Sequence, residues 1–297
     1  MTGRLLTVSG LTLVLATCST NSSGPDAGVV IVATTPVLGD IVESVAGDEA
    51  RVEVLIPIGV DTHDFSPSAQ QASVISGADL VVANGLGLEA GLEDFIAAAA
   101  SDGVEMLEVG PLLDPIPLQG DEETLDPHFW MDPLRAGEAA RVVAEALSTR
   151  ARGGWEERAD AYAAELEATD VSVSEMLSLI PPPDRVMVTN HESLGYFAER
   201  YDFDILGVIV PGGSTLAEPS SAHLAELVEV MDEAGANVVF AESTEPTALA
   251  EAITSELEGD ARVVELYTES LGEPGSEAAT LSGMLISNAR KISEALA

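Results

Sequence analysis

Eight short runs rich in β-branched residues punctuate this chain, and stretches that read as helix separate them. That alternation narrows the fold more than any other feature. The runs are VVIVATT (29–35), RVEVLI (51–56), DLVVAN (79–84) and VEMLEV (104–109), then DRVMVTN (184–190), FDILGVIV (203–210), NVVFAES (237–243) and RVVELY (262–267). Several are almost continuously apolar, the pattern of parallel strands buried on both faces. Helical stretches such as SPSAQQASVISGA (66–78) and SSAHLAELVEVMDEAG (220–235) lie between them. Strands and helices in this order predict parallel sheets with helices packed on their faces.

The runs come as four, then a long gap, then four. The gap holds PLRAGEAARVVAEALSTR (133–150) and a second stretch from Gly154 to Ile180 in which Trp155, Ala159, Tyr162, Leu166, Val173, Leu177 and Ile180 recur at roughly helical spacing. The triple proline at 181–183 ends it, because proline cannot continue a helix. The expected element is one helix of about 27 residues, on the order of 40 Å long. The expected fold is therefore α/β: two lobes, each with a four-stranded, mostly parallel sheet flanked by helices, joined by one long rigid helix. The corresponding ranges are 29–153, 154–182 and 183–297. A chain of 297 residues, 46% of them apolar, can fill one large core or two ordinary ones.

Residues 1–17 read as a targeting segment. Arg4 supplies a positive charge and LLTVSGLTLVLAT (5–17) an apolar run, too short to span a bilayer as a helix but the length of a secretory signal core. It ends at LATC. Cys18 is the only cysteine, so it has no partner for an internal disulfide. The pattern resembles a bacterial lipobox, in which this cysteine becomes the lipidated first residue; an ordinary cleaved signal or a free thiol is the alternative. Residues 18–28 would then be a polar tether holding the domain outside the cytoplasm, at the cell surface or in the periplasm.

The charge is extreme, 12 Lys and Arg against 51 Asp and Glu, net −39, with Lys291 the only lysine. Such a chain repels nucleic acid and anionic membrane surfaces, which excludes nucleic-acid binding. A solvated acidic surface suited to a salty medium accounts for the charge. No phosphate-binding loop with its lysine exists, and NGLGLEAG (84–91) is off register for a dinucleotide fingerprint and reads as a tight turn.

Histidine is scarce: His63, His128, His191 and His223 are the only four. Ligands in open α/β sheets bind outside the carboxyl ends of strands. His63 follows the second strand, His128 the fourth and His191 the fifth, while Glu269 follows the eighth, so all four sit on strand-exit loops, two from each lobe. Lobes facing each other across a cleft would let them converge. Three imidazoles and a carboxylate make a four-coordinate set that suits Zn²⁺. Each histidine alone is weak evidence, and His223, near a helix start, reads as a surface residue. Asp61, Asp64, Asp126 and Glu192 are candidates to hydrogen-bond the second ring nitrogen of a ligand histidine, and Glu242 at a strand end is a further supporting candidate. Plain solvated carboxylates are the alternative for each of the first four.

The order of motifs is similar to that of a known family. ATTPVLGDIVESVAGDEARVEVLIPIGVDTHDFSPSAQQASVISGADLVVANGLGLE, then DPHFWMDP, TNHESLGYFAERYDF and LYTESLG, resemble the solute-binding proteins of zinc and manganese ABC importers, the cluster A-I or ZnuA/TroA-like family, over residues 29 to 296. The resemblance implies two α/β lobes on a rigid backbone helix, metal ligands at His63, His128, His191 and Glu269, a membrane permease as partner, and no enzymatic activity. We expect a monomer. Many manganese-type relatives carry Glu where this chain has His191, which favours Zn²⁺ over Mn²⁺ or iron. The fourth ligand is commonly Asp in the family, whereas Glu269 stands here. Zinc importers often carry a long His-rich loop, and here only LQGDEETLD (118–126) takes that place, read as a short solvated loop. A zinc hydrolase or a surface adhesin are the readings of another class. HESLG lacks the second histidine of the zinc-protease motif, and nothing in the sequence supports an adhesin independently.

Overall fold

The computed structural model describes residues 29–119, 121–257 and 259–297; the expected signal segment, Cys18 and the tether lie outside the described residues. All eight expected strands form. In the first lobe β1 (Val29–Ala33), β2 (Ala50–Val54), β3 (Leu80–Ala83) and β4 (Glu105–Glu108) make a parallel sheet of order β2-β1-β3-β4. Helices α1 (Pro36–Ala46), α2 (Ala69–Ser76) and α3 (Glu93–Ser101) connect them. A small antiparallel hairpin follows, β5 (Pro117–Leu118) and β6 (Asp121–Leu125), then α4 (Pro133–Ser148) and the long α5 (Trp155–Leu177). The second lobe repeats the pattern with β7 (Val186–Thr189), α6 (Gly195–Tyr201), β8 (Asp204–Val208), α7 (Ser221–Ala234), β9 (Val238–Glu242), α8 (Ala248–Glu256), β10 (Arg262–Leu266) and α9 (Leu281–Leu296). Its parallel order, β8-β7-β9-β10, is the same 2-1-3-4 winding as the first sheet.

Helix starts are written locally. Thr35 accepts the N–H of Leu38 at the head of α1, with Pro36 at the first turn. Asp132 does the same for Leu134 before Pro133 in α4, and Thr280 for Gly283 in α9. These side chains satisfy amides that a helix start leaves unpaired. The buried face of α5 carries Trp155, Ala159, Tyr162, Ala163, Leu166, Val173 and Leu177. The helix has 23 residues, about 35 Å, shorter than the sequence suggests. It stops at Leu177 because Arg185 folds back onto its end, donating to the carbonyls of Leu177 and Ile180 and also to that of Tyr201. Positive charge at a helix carboxyl end stabilises just such an exit.

The segment 118–126 is the second departure. It is solvated as expected, with Asp121, Glu123, Thr124 and Leu125 exposed, but forms the β5–β6 hairpin rather than an irregular loop, tightened by Asp121, which accepts the Glu123 N–H and the Thr124 hydroxyl. Leu118 is buried, and Gln119 Nε2 donates to the Ile205 carbonyl in the other lobe at 3.1 Å.

One hydrophobic cluster joins the inner faces of both lobes, running from Ile31 and Leu38 through Trp155 and Leu166 to Phe240 and Ile292. Two smaller clusters cover the outer faces, one around Phe65 and Ile75, the other around Leu227 and Met231.

Candidate metal centre

Both sheets point their strand ends at the cleft. Ile56, Thr34 and Val82 continue the first sheet's ladder before the chain loops out toward His63. His128 stands just past β6, and the turn after it buries Phe129 and Trp130. The Trp130 ring lies 5.4 Å from that of His128, and its N–H donates to the carbonyl of Thr268 across the cleft at 2.7 Å. His191 leaves β7 two residues after Thr189, whose hydroxyl donates to the His191 carbonyl. Glu269 stands three residues beyond β10.

The four donors meet. One atom from each of His63, His128, His191 and Glu269 lies within 4.8 Å of the other three, and all four residues are buried. His128 Nε2 is 3.1 Å from Glu269 Oε1 and 3.3 Å from His191 Nε2. His191 Nε2 is 3.7 Å from Glu269 Oε1, and His63 Nε2 is 3.8 Å from Glu269 Oε2. A tetrahedral ion 2.0–2.1 Å from each donor sets neighbouring donors about 3.3–3.4 Å apart, close to this spacing. Both ring nitrogens of His63 and both oxygens of Glu269 are buried without a well-formed hydrogen bond. Unpartnered polar groups at that depth are costly unless a cation satisfies them, so the residues present fit a divalent metal.

In the metal-free cluster the carboxylate is balanced by protonated imidazole, so a metal ion entering it takes the place of protons. Burial opposes charge on Glu269, but the imidazoles of His128, His63 and His191 overcome it and hold the carboxyl down to about 2. Burial also opposes a charged His128, yet Glu269 and Asp126 outweigh it and push that ring up to about 10. His191 is raised as well, burial being overcome by Glu242, whereas burial dominates at His63 and lowers it.

The supporting carboxylates divide. Asp126 Oδ1 lies 2.7 Å from His128 Nδ1, and Glu242 Oε1 lies 2.5 Å from His191 Nδ1. Such partners select the tautomer that leaves Nε2 free for a metal. Gly195 opens α6 directly against Asp126, where a Cβ would collide with Oδ2. Asp61 instead accepts the backbone N–H of His63, at 2.9 Å, not a ring nitrogen. Asp64 is exposed, and Glu192 is half-buried with its N–H on the Gly212 carbonyl; neither bonds an imidazole among the described residues. His223 lies apart and is not a free surface residue, since its Nε2 meets the Val208 carbonyl at 2.8 Å.

Three contributors were not legible beforehand. The Tyr196 hydroxyl bridges the two sides, accepting from Ile116 N at 3.2 Å and donating to the Asp126 carbonyl at 3.1 Å. Ser193 donates to Glu242 at 2.9 Å, fixing the carboxylate that braces His191. Thr215 donates to Asp61 from the opposite lobe at 2.6 Å. Ser193, two residues past a candidate ligand, carried a faint local signal; the other two carried none.

Known proteins share this architecture. The manganese-binding lipoprotein MntA of Halalkalibacterium halodurans is 28% identical over 94% of this chain and 93% of its own length. The zinc-binding protein TroA of Treponema pallidum is 28% identical over 92% and 90%. The solved structure of the periplasmic TroA superposes with a TM-score of 0.81 at 27% identity, covering 91% of this chain and 99% of that one. A zinc-bound deletion mutant of ZnuA gives 0.79 at 28% identity over 91% and 98%. The family model described as zinc-uptake complex component A, periplasmic, matches residues 31–295, a span that holds all four clustered donors. The chain therefore belongs to the ZnuA family.

Proposed function

We propose that this protein captures a divalent transition metal, Zn²⁺ in preference to Mn²⁺, between its lobes and delivers it to an ABC permease. The carrying observation is the buried set of three imidazoles and one carboxylate, with donors inside 4.8 Å. His63, His128, His191 and Glu269 hold the ion; Asp126 and Glu242 orient two of the rings. Four protein donors leave no open position for an attacking water, so the same set supports carriage over hydrolysis. The lobes would run over 29–153 and 183–297 about a linker at 154–182, and Cys18 would carry the lipid that keeps the carrier beside its permease.

The relatives divide by metal, one named for manganese and one for zinc. Nitrogen at His191 favours zinc, because imidazole suits Zn²⁺ and intrinsic affinity already places it above Mn²⁺. Titration of chelator-stripped protein with each metal tests this. A preference for Zn²⁺ of at least about 100-fold, roughly 2.7 kcal/mol, is expected. His191→Glu should narrow it, chiefly by weakening Zn²⁺. Equal affinities in the wild type would overturn the zinc assignment and leave a manganese carrier of the same family. Cys18→Ser should release the protein from membranes.

A further inference from the structure

The cleft is bridged on one side by the segment Pro-Gly-Gly-Ser-Thr-Leu-Ala-Glu-Pro at 211–219, which leaves β8 and reaches the other lobe. Its root is firm: Ile209 and Val210 donate to the carbonyls of Thr189 and Asn190 at 2.9 and 2.7 Å. Further out it meets the first lobe twice. Gly213 lies so near Leu118 of the hairpin that a Cβ would stand 2.8 Å from the leucine methyl. Thr215 Oγ1 donates to Asp61 Oδ2 at 2.6 Å.

Asp61 has a second duty. Its Oδ1 accepts the backbone N–H of His63. One carboxylate thus ties the backbone of a metal-binding residue to a segment of the opposite lobe. That matters because His63 is held differently from its two companions. The His128 ring is hydrogen-bonded to Asp126 and the His191 ring lies 2.5 Å from Glu242, whereas no carboxylate other than Glu269 stands within 4 Å of the His63 ring nitrogens among the described residues. The aim of the His63 ring is set by its backbone and by edge-on packing against the rings of His128 and His191. Two other described contacts reach residues 57–65 across the cleft: Gly59 N donates to Ser270 Oγ at 2.9 Å, and the Glu245 carboxyl shares a hydrogen bond with Asp61. The far side of the cleft is sewn more densely, by Tyr196, by Trp130 and by the Arg200–Asp132 ion pair.

We infer that Thr215 is a positioning residue: through Asp61 it latches the His63 loop to the opposite lobe and sets how fast the metal leaves. This rests on the metal-carrier reading above. Release begins on this side, with the Thr215–Asp61 bond broken and His63 the first donor to let go. The Asp126 and Glu242 braces keep the other two histidines in place until the ion departs. Thr215 bonds Asp61 and, among the described hydrogen bonds, none of the four donors, so the latch acts on rate and retention while the donor set stays whole.

The experiment uses the purified full chain loaded with one equivalent of Zn²⁺, and separately Mn²⁺, mixed with an excess of a chromophoric chelator. Thr215→Val keeps the shape and loses the hydroxyl; Thr215→Ser keeps the hydroxyl. A hydrogen bond to a charged group is worth enough to give about tenfold faster release in Thr215→Val. Thr215→Ser should stay within about twofold of wild type, with the thermal midpoints of all three metal-free proteins alike. Asp61→Ala removes this bond together with the one to the His63 amide and should release quickly, and adding Thr215→Val to it should change nothing further, since the Thr215–Asp61 bond is already gone. Unchanged release in Thr215→Val, equally fast release in Thr215→Ser, or additive effects of the two substitutions would each overturn the latch while wild type still retains metal. Wild type that keeps no metal through gel filtration would overturn the carrier reading, and the latch with it.

Discussion

The two lobes are wound identically but use the same crevice in opposite ways. In a 2-1-3-4 sheet the chain reverses direction between the first and third strands, and the opening there is the natural ligand crevice. In the second lobe that crevice lies beyond β7 and β9. It presents His191 with Glu242 at 2.5 Å, aimed into the cleft. In the first lobe it lies beyond β1 and β3 and is plugged. Glu89 turns into it and accepts the Thr34 hydroxyl at 2.6 Å and the amides of Asn84 and Gly85 at 2.7 and 3.1 Å. The first lobe must therefore supply His63 and His128 from longer excursions. Identical topology offers two equivalent crevices, and side-chain chemistry decides which one opens into the cleft and which one is sealed.

A pH series separates the two crevices most widely. His128 holds a proton up to about 10 in the metal-free state and His191 is raised in the same direction, so metal must displace protons through the neutral range. Each displaced proton makes apparent affinity fall tenfold per pH unit. Between pH 8 and pH 6 the loss is expected to reach at least about 100-fold. Binding near pH 8 in weak buffer should release at least one proton per metal, which a pH indicator reads directly. Affinity that stays flat across this window would remove the histidines from the site. The plugged crevice answers with the opposite sign. Burial raises the Glu89 carboxyl. Its contribution to stability is fully present below the unfolded-state value and is lost as pH rises through the folded-state value.

Substituting the two carboxylates sharpens the contrast. Glu242→Gln weakens the brace on His191 and should reduce metal affinity about 10–100-fold, measured by competition with a chelator, with little change in thermal midpoint. Glu89→Gln replaces an acceptor that three donors converge on, and should cost about 1–3 kcal/mol of stability in chemical denaturation. Metal affinity should stay at the wild-type value, and the Glu89 part of the pH slope should vanish. If Glu89→Gln weakened metal as much as Glu242→Gln, the two crevices would not differ in role.

The smallest effect belongs to His223→Ala. It removes one hydrogen bond to the Val208 carbonyl, about 1 kcal/mol, and should leave metal affinity untouched.

The sheets could be read from the sequence because strands buried on both faces are nearly continuous apolar runs, as in Val29–Ala33 and Val238–Glu242, and such runs are hard to mistake when helices separate them. The four donors stood out because histidine is rare and three of four fell on strand exits. The misreadings involve partners that lie outside the element's own periodic pattern. The end of α5 depends on Arg185 returning to its carbonyls, and the hairpin at 117–125 depends on burial of Leu118 against the other lobe. Asp61 beside His63 invited a ring contact, but its oxygens were claimed by a backbone amide and by Thr215, 154 positions away. Tyr196 looked like an ordinary core aromatic, and only the fold reveals that its hydroxyl stitches Ile116 to Asp126.

The hydrophobic cluster that runs without interruption from Ile31 to Ile292 has a thermodynamic consequence. Neither sheet can lose its inner packing without exposing part of the other's, so the chain should melt as one cooperative unit, in a single calorimetric transition with no half-unfolded species. Cargo held at one edge of that unit then protects all of it. At a free metal concentration 100 times the dissociation constant, the whole chain gains about 2.7 kcal/mol against unfolding. Proteases that cleave only the unfolded chain would clear empty carriers about a hundredfold faster than full ones.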